Sequence, residues 1–286
     1  EDNASAAVYS YDRSNIIYIF VGLFLLMLWI IGGKKGFKSA IGLVFTFICI
    51  IYLFLPMLYK GYSPFLSAVV VIILITIVSL YLIDGISKKS ISAMIGTITG
   101  VIISGVCAAG FGNIAKISGY NVAEVEELVF ISNNTNLKVG GILFAAILIA
   151  SLGAVMDVSI TVNSAVNELV NAAKSITLKQ LIKSIREIGH DIMGTMINVL
   201  MFSYIGGSLS IVILKIINGY KLPSLIQFDI SFEIVRFLIG SIGIVMAVPI
   251  SALVAVLFFR KGLSKDDTDI SSSIIKIFLM NRKKSA

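Results

Sequence analysis

Acidic, amide and histidine side chains interrupt the apolar part of this chain between residues 152 and 203. Seven of them lie within or against hydrophobic runs: Asp157, Asn163, Glu168, Glu187, His190, Asp191 and Asn198. Ionisable groups are costly to place in hydrocarbon, and where they occur they often serve a pathway for ions or protons. This segment is therefore the main candidate for a functional site.

A first polar set recurs at helical spacing: Asp157, Thr161, Ser164 and Glu168. These positions share one face of a helix. If the helix begins near Val139, Asp157 lies roughly 27 Å along it, in the inner third of a membrane. Burial disfavours the charged form of a carboxyl group, so Asp157 could load a proton there. We predict a coupling role for Asp157, beside the hydroxyls of Thr161 and Ser164. Glu168, a secondary candidate, has the simpler interpretation of an acid that faces water.

A second polar set follows on the next apolar run: Asp191, Thr195 and Asn198, again on one helical face. Asn198 lies roughly 10 Å deeper than Asp191, which brings this face to the depth of Asp157. We therefore expect the two faces to meet in one polar cluster. His190, the chain's single histidine, is a secondary candidate that could shuttle protons or could be a satisfied interfacial side chain.

The composition explains what must position these residues. Of 286 residues, 57% are hydrophobic and 14% charged, and the mean hydropathy is +0.99. A soluble domain of this length has nowhere to bury so much apolar surface, whereas a polytopic membrane protein does. The net charge of +7 comes from small basic clusters between apolar runs, so we expect no nucleic-acid partner.

Seven apolar runs are long enough to cross a hydrocarbon core of ~30 Å: about 16–33, 39–58, 65–84, 91–111, 139–161, 192–217 and 233–259. The chain is thus predicted to be an all-α transmembrane bundle of about seven spans. After Thr177, a candidate N-cap, the apolar stripe of 178–188 predicts a helix that lies at the inner interface.

The loops between these runs alternate in charge. Lysine and arginine concentrate on one side, in the turns near 34–38, 88–89, 174–186 and 260–265. The opposite loops are poor in them. By the positive-inside rule, the N-terminus is expected outside and the C-terminus in the cytoplasm.

Three parts are expected along the chain. Residues 1–14 are interpreted as the external tail of a missing N-terminal segment, since the chain opens on Glu1 without a signal peptide. Residues 15–262 form the transmembrane domain. Residues 263–286 form a cytoplasmic, amphipathic, basic tail.

The central motifs carry a family resemblance. SLGAVMDVSITVNSAVNEL at 151–169 and IGHDIMGTMINVLMFSYIGGSL at 188–209 resemble the YibE/F family of bacterial multipass membrane proteins, as do YDR at 11–13 and GGKKGFKSAIGL at 32–43. Asp157, Asp191 and Asn198 match the family. Arg is frequent there where His190 stands. The resemblance implies a plasma-membrane location, and an anchor and external domain before YDR.

The run from Gly141 to Leu257 is also similar, more weakly, to the last three spans of SecF and the wider RND superfamily. This resemblance implies RND/SecF-like packing of the last spans. Acids at such places serve proton-coupled motion in those proteins. It therefore implies a coupling role for Asp157 and, with a looser match, Asp191.

Two functions remain open. The first is a secondary transporter or exporter, with ion or proton coupling through Asp157 and an unknown small substrate or ion. The second is a non-transporting, SecF-like accessory or scaffold protein of a membrane complex. Besides the lipid bilayer, partners would be a second copy or another membrane protein. We expect no enzyme, cofactor or metal site, since the sequence has no H-E-x-x-H, no Cys–His pair and no nucleophile with a base.

Overall fold

The computed structural model describes residues 13–114, 139–172, 177–221, 223 and 230–259. Every regular element in these ranges is a helix, which confirms the expected all-α fold. The helices are α1 (Ser14–Cys49), α2 (Leu55–Tyr59), α3 (Pro64–Asp84), α4 (Lys88–Ile114), α5 (Val139–Ala172), α6 (Leu178–Ile217) and α7 (Ser231–Phe259), and a π-helical turn at Ile50–Phe54 joins α1 to α2. The expectations for the external tail up to residue 12 and for the 263–286 tail lie outside the described residues.

Six helical stretches of the described chain are long and apolar enough to cross a membrane: Ser14–Tyr59, Pro64–Asp84, Lys88–Gly112, Phe144–Ala172, Leu178–Ile217 and Glu233–Phe259. Their number and length indicate a multipass membrane protein. They overlap the predicted apolar runs, but the first stretch contains two of the seven, 16–33 and 39–58. The described helices therefore give six candidate spans where the sequence predicts seven.

The first stretch is not one straight helix. Its 46 residues would extend ~69 Å, more than twice the hydrocarbon thickness. It breaks at Gly33, whose φ of 55° and ψ of −137° favour glycine. Beyond the break, Gly36 packs so closely on the Leu28 carbonyl that a Cβ would overlap it, and the rings of Trp29 and Phe37 lie 6.1 Å apart. The chain thus bends sharply between a first arm (14–32) and a second arm (34–49).

The centre of the bundle is formed by α4, α5 and α7. Gly100 of α4 faces Val155 of α5 and Ala247 of α7, while Gly96, one turn away, packs tightly on Ser251. Glycine spaced as G-x-x-x-G lets helix backbones approach closely, and this pair does so here. The helix that carries Asp157, α5, is therefore packed between α4 and α7.

The remaining helices surround this centre. α3 packs on α4 and α5, α6 packs on α5 and α7, and α1 packs on α3. All the buried residues of α1 belong to its second arm, whereas no described side chain of the first arm is buried. The first arm and the outer side of α6 are consequently the least covered parts of the described chain.

The start of α6 differs in part from the prediction. Thr177 caps the helix through a capping box, as expected. The expected interfacial helix over 178–188, however, continues without a break into the sixth span as one helix of 40 residues. Leu181, Ile182 and Ile185 are buried against the bundle. This apolar stripe therefore packs on the other helices and does not face lipid headgroups.

Candidate functional site

The α5 stripe comprises the four predicted residues of that helix: Asp157, Thr161, Ser164 and Glu168. Their side chains are exposed, except for the half-buried Ser164. α5 packs through its opposite side, where three valines are fully buried: Val155, Val158 and Val162. The stripe therefore lies on the outer side of the bundle.

The hydroxyls of the α5 stripe bond within their own helix. Thr161 Oγ1 donates to the Asp157 carbonyl oxygen at 2.7 Å, and Ser164 Oγ donates to the Ile160 carbonyl oxygen at 2.8 Å. Among the described residues, nothing donates a hydrogen bond to the Asp157 carboxylate and no basic group lies within 4 Å of it. The carboxylate is thus accessible and is not fixed by a neighbour.

The α6 stripe comprises Asp191, Thr195 and Asn198, all exposed. α6 packs through the opposite side, which includes Gly189 against Val248 of α7 and the buried Leu200. Thr195 Oγ1 donates to the Ile192 carbonyl oxygen at 2.9 Å. This stripe, like that of α5, faces away from the packed centre.

Each stripe is exposed on its own helix, and α5 and α6 are in contact. No hydrogen bond or ion pair within the described ranges joins Asp157 to Asp191 or Asn198. The single polar cluster that we expect from matched depth therefore remains a prediction.

His190 and Asp191 line a pocket of about 410 Å³ on α6, together with Lys183, Arg186 and Glu187. Lys183 Nζ and Glu187 Oε1 are 3.9 Å apart and both side chains are exposed, so this ion pair adds little stability. The pocket offers donors and acceptors of both charges. Charged side chains of both signs therefore lie beside one end of the α6 stripe.

Two other acids of the long helices have basic partners. Asp84 lies 3.1 Å from Lys89 Nζ, and Glu233 lies 3.3 Å from Arg236. Both pairs are mostly shielded from solvent. In each pair the basic side chain is an electrostatic partner of the carboxylate. Asp157 differs from both because no described basic side chain neutralises it.

Prediction from sequence missed a buried polar seam between α4, α5 and α7. Ser251 and Ser159 hydroxyls hydrogen-bond at 3.1 Å, and Asn163 Nδ2 donates to the Ser159 carbonyl oxygen at 2.8 Å. Asn163 Oδ1 and Ser92 Oγ are buried without a hydrogen-bond partner in the described part of the chain. The available signal was Ser92 lying one turn before Gly96, on the glycine face of α4.

The comparisons with known proteins give a family and no closer relative. A family model described as YibE/F-like protein matches residues 20–261, from within α1 to just past α7, and so includes both stripes and the seam. No curated protein and no solved structure matches the chain. Because the family match covers most of the 286 residues, the chain belongs to the YibE/F-like protein family.

Proposed function

We propose that this protein is a secondary transporter or exporter of the bacterial plasma membrane, driven by protons or another ion through Asp157. The observation that carries the proposal is the unpaired carboxylate in the fifth predicted span. Asp84 and Glu233 are each held by a basic side chain, whereas Asp157 has none among the described residues. A nearby cation favours the ionised form of an acid, so an acid without such a partner can take up a proton more readily.

The surroundings of Asp157 support access for water. On the same side of α5, one and two turns before Asp157, lie Gly153 and Ala150, both exposed, and Gly153 has no side chain or other helix within 4 Å of its Cβ position. A carboxylate facing hydrocarbon alone would be costly. Small residues leave room for a polar path along this face, from which Asp157 could take up its proton.

The proposal includes the finer topology. The sharp bend at Gly33 supports two crossings within Ser14–Tyr59, and hence seven spans with the N-terminus outside and the C-terminus in the cytoplasm. The mutual packing of α5, α6 and α7 is in keeping with RND/SecF-like packing of the last spans. The α6 stripe, with Asp191, Thr195 and Asn198, forms the second half of the proposed polar path to and from Asp157.

Proton uptake into proteoliposomes tests this function. The chain is reconstituted with a pH-sensitive dye inside, and a potassium diffusion potential, negative inside, drives proton entry. We expect Asp157→Asn to abolish the protein-dependent uptake. The matched control is Glu168→Gln, which removes an acid of the same stripe and should retain uptake. Equal uptake by wild type and Asp157→Asn would overturn the coupling role.

A non-transporting accessory or scaffold protein is the second candidate function. The observation that favours it is the amount of uncovered apolar surface on the outer side of α6, where Phe202, Ile205 and Leu209 are exposed. Exposed apolar faces of this kind can contact lipid or another membrane protein. This function predicts that Asp157→Asn supports the same cellular phenotype as wild type, while bulky polar substitutions on that face do not.

A further inference from the structure

The bend of α1 creates an apolar pocket between its two arms. The pocket has a volume of about 350 Å³ and is lined by apolar side chains: Leu25, Leu26 and Trp29 of the first arm, and Phe37, Ala40, Ile41 and Val44 of the second. Its volume falls at the small end of ligand clefts, which span ~300–1,000 Å³. The pocket therefore suits a narrow hydrocarbon group and is too small for a helix, which is ~10–12 Å across with its side chains.

The pocket exists because the two arms approach each other on one side of the break. In a straight helix, residues 28 and 36 would be separated by ~12 Å along the axis. Here Gly36 lies against the Leu28 carbonyl, and Trp29 stacks obliquely near Phe37, with an interplanar angle of 56°. Gly33, with its positive φ, permits this turn. The aromatic pair closes the end of the pocket nearest the turn.

Positive charge lies at the same end. Lys34 precedes Phe37 by three residues and Ile41 by seven, so it shares the helical face that lines the pocket. Lys38, one turn after Lys34, lies beside that face. Both lysines are exposed and neither forms an ion pair with a described acid. An apolar pocket with two exposed lysines beside its lining face complements a molecule with a hydrocarbon chain and an anionic head.

We propose that this pocket is a binding site for an anionic phospholipid of the bilayer. One acyl chain lies between the arms against Trp29 and Phe37, and the phosphate lies at Lys34 and Lys38. Lysines close to an anionic membrane surface each favour binding by ~5-fold. We therefore expect a preference for anionic over zwitterionic lipid of up to ~30-fold at this site.

The chain offers an intrinsic probe, because Trp29 is its single tryptophan and it lines the pocket. Bromine on an acyl chain quenches tryptophan fluorescence only at short range. The full chain is reconstituted in phosphatidylcholine that contains a small, equal fraction of either brominated phosphatidylglycerol or brominated phosphatidylcholine. We expect stronger quenching by brominated phosphatidylglycerol. Equal quenching by the two lipids would overturn the proposal.

Two variants locate the site. Lys34→Gln with Lys38→Gln should bring phosphatidylglycerol quenching down to the phosphatidylcholine level. The matched control, Lys88→Gln with Lys179→Gln, removes two exposed lysines at other turns and should retain the preference. Val44→Phe, at a half-exposed lining position, should reduce the preference by filling the pocket. A preference that survives either test variant would place the lipid elsewhere and contradict the site.

Discussion

Single residues decide how closely the central helices pack. Gly96 of α4 has no space for a side chain, because a Cβ there would overlap Ser251 Oγ and lie 3.1 Å from Ser251 Cβ. Moving Ser251 would break its hydrogen bond to Ser159, which belongs to the buried seam. Gly110, in the same helix, has nothing within 4 Å of its Cβ position. Alanine substitutions at the two glycines therefore distinguish the cost of overpacking from the gain in helix propensity.

We expect Gly96→Ala to lower the free energy of unfolding by about 1–3 kcal/mol, because overpacking forces the helices apart. Gly110→Ala should be neutral or stabilising by up to ~1 kcal/mol, because alanine is the better helix former. Thermal unfolding of both variants in the same detergent measures the difference. A Gly96→Ala variant as stable as Gly110→Ala would show that α4 and α7 do not approach as described.

At the scale of the helices, hydropathy predicted most of the fold. Length and apolar composition located the long helices, and the Thr177 cap followed from its residue type. The direction in which each polar stripe faces could not be predicted. Helical spacing places Asp157 and Glu168 on one side of α5, but only packing on α4 and α7 decides that this side is the outer one.

Two other features of the helices could not be predicted from the sequence, because they also depend on contacts between helices. The continuity of α6 through residues 178–217 depends on the burial of Leu181 and Ile185 by other helices. The seam of Ser92, Ser159, Asn163 and Ser251 consists of residue types that are common in apolar runs. It becomes visible only when three helices are assembled, since each helix contributes one or two of its members.

The break in the first stretch leads to a test at this scale. Gly33 has a φ of 55° and ψ of −137°, a region that is strained by roughly 1–3 kcal/mol for other residues. Gly33→Ala should therefore lower the thermal unfolding temperature. Gly22→Ala, in the first arm with no atoms within 4 Å and no positive φ, should not. If the two variants unfold alike, α1 does not need the bend.

For the whole molecule, the charge pattern and the helices together predict which loops face the cytoplasm. In a variant with Cys49 and Cys107 replaced by alanine, Glu126→Cys should react with a membrane-impermeant maleimide in intact cells. Lys183→Cys, on the exposed side of α6, should react only after permeabilisation. The opposite pattern of labelling would invert the topology and place the α6 pocket outside.

The proposed function depends on Asp157 exchanging a proton on the outer side of the helix bundle. Infrared difference spectra of the reconstituted protein, recorded as the pH is lowered, measure this directly through the carbonyl stretch of a newly protonated carboxyl group. We expect a band that wild type and Glu168→Gln share and that Asp157→Asn lacks. The same band at full intensity in Asp157→Asn would contradict proton loading at this residue.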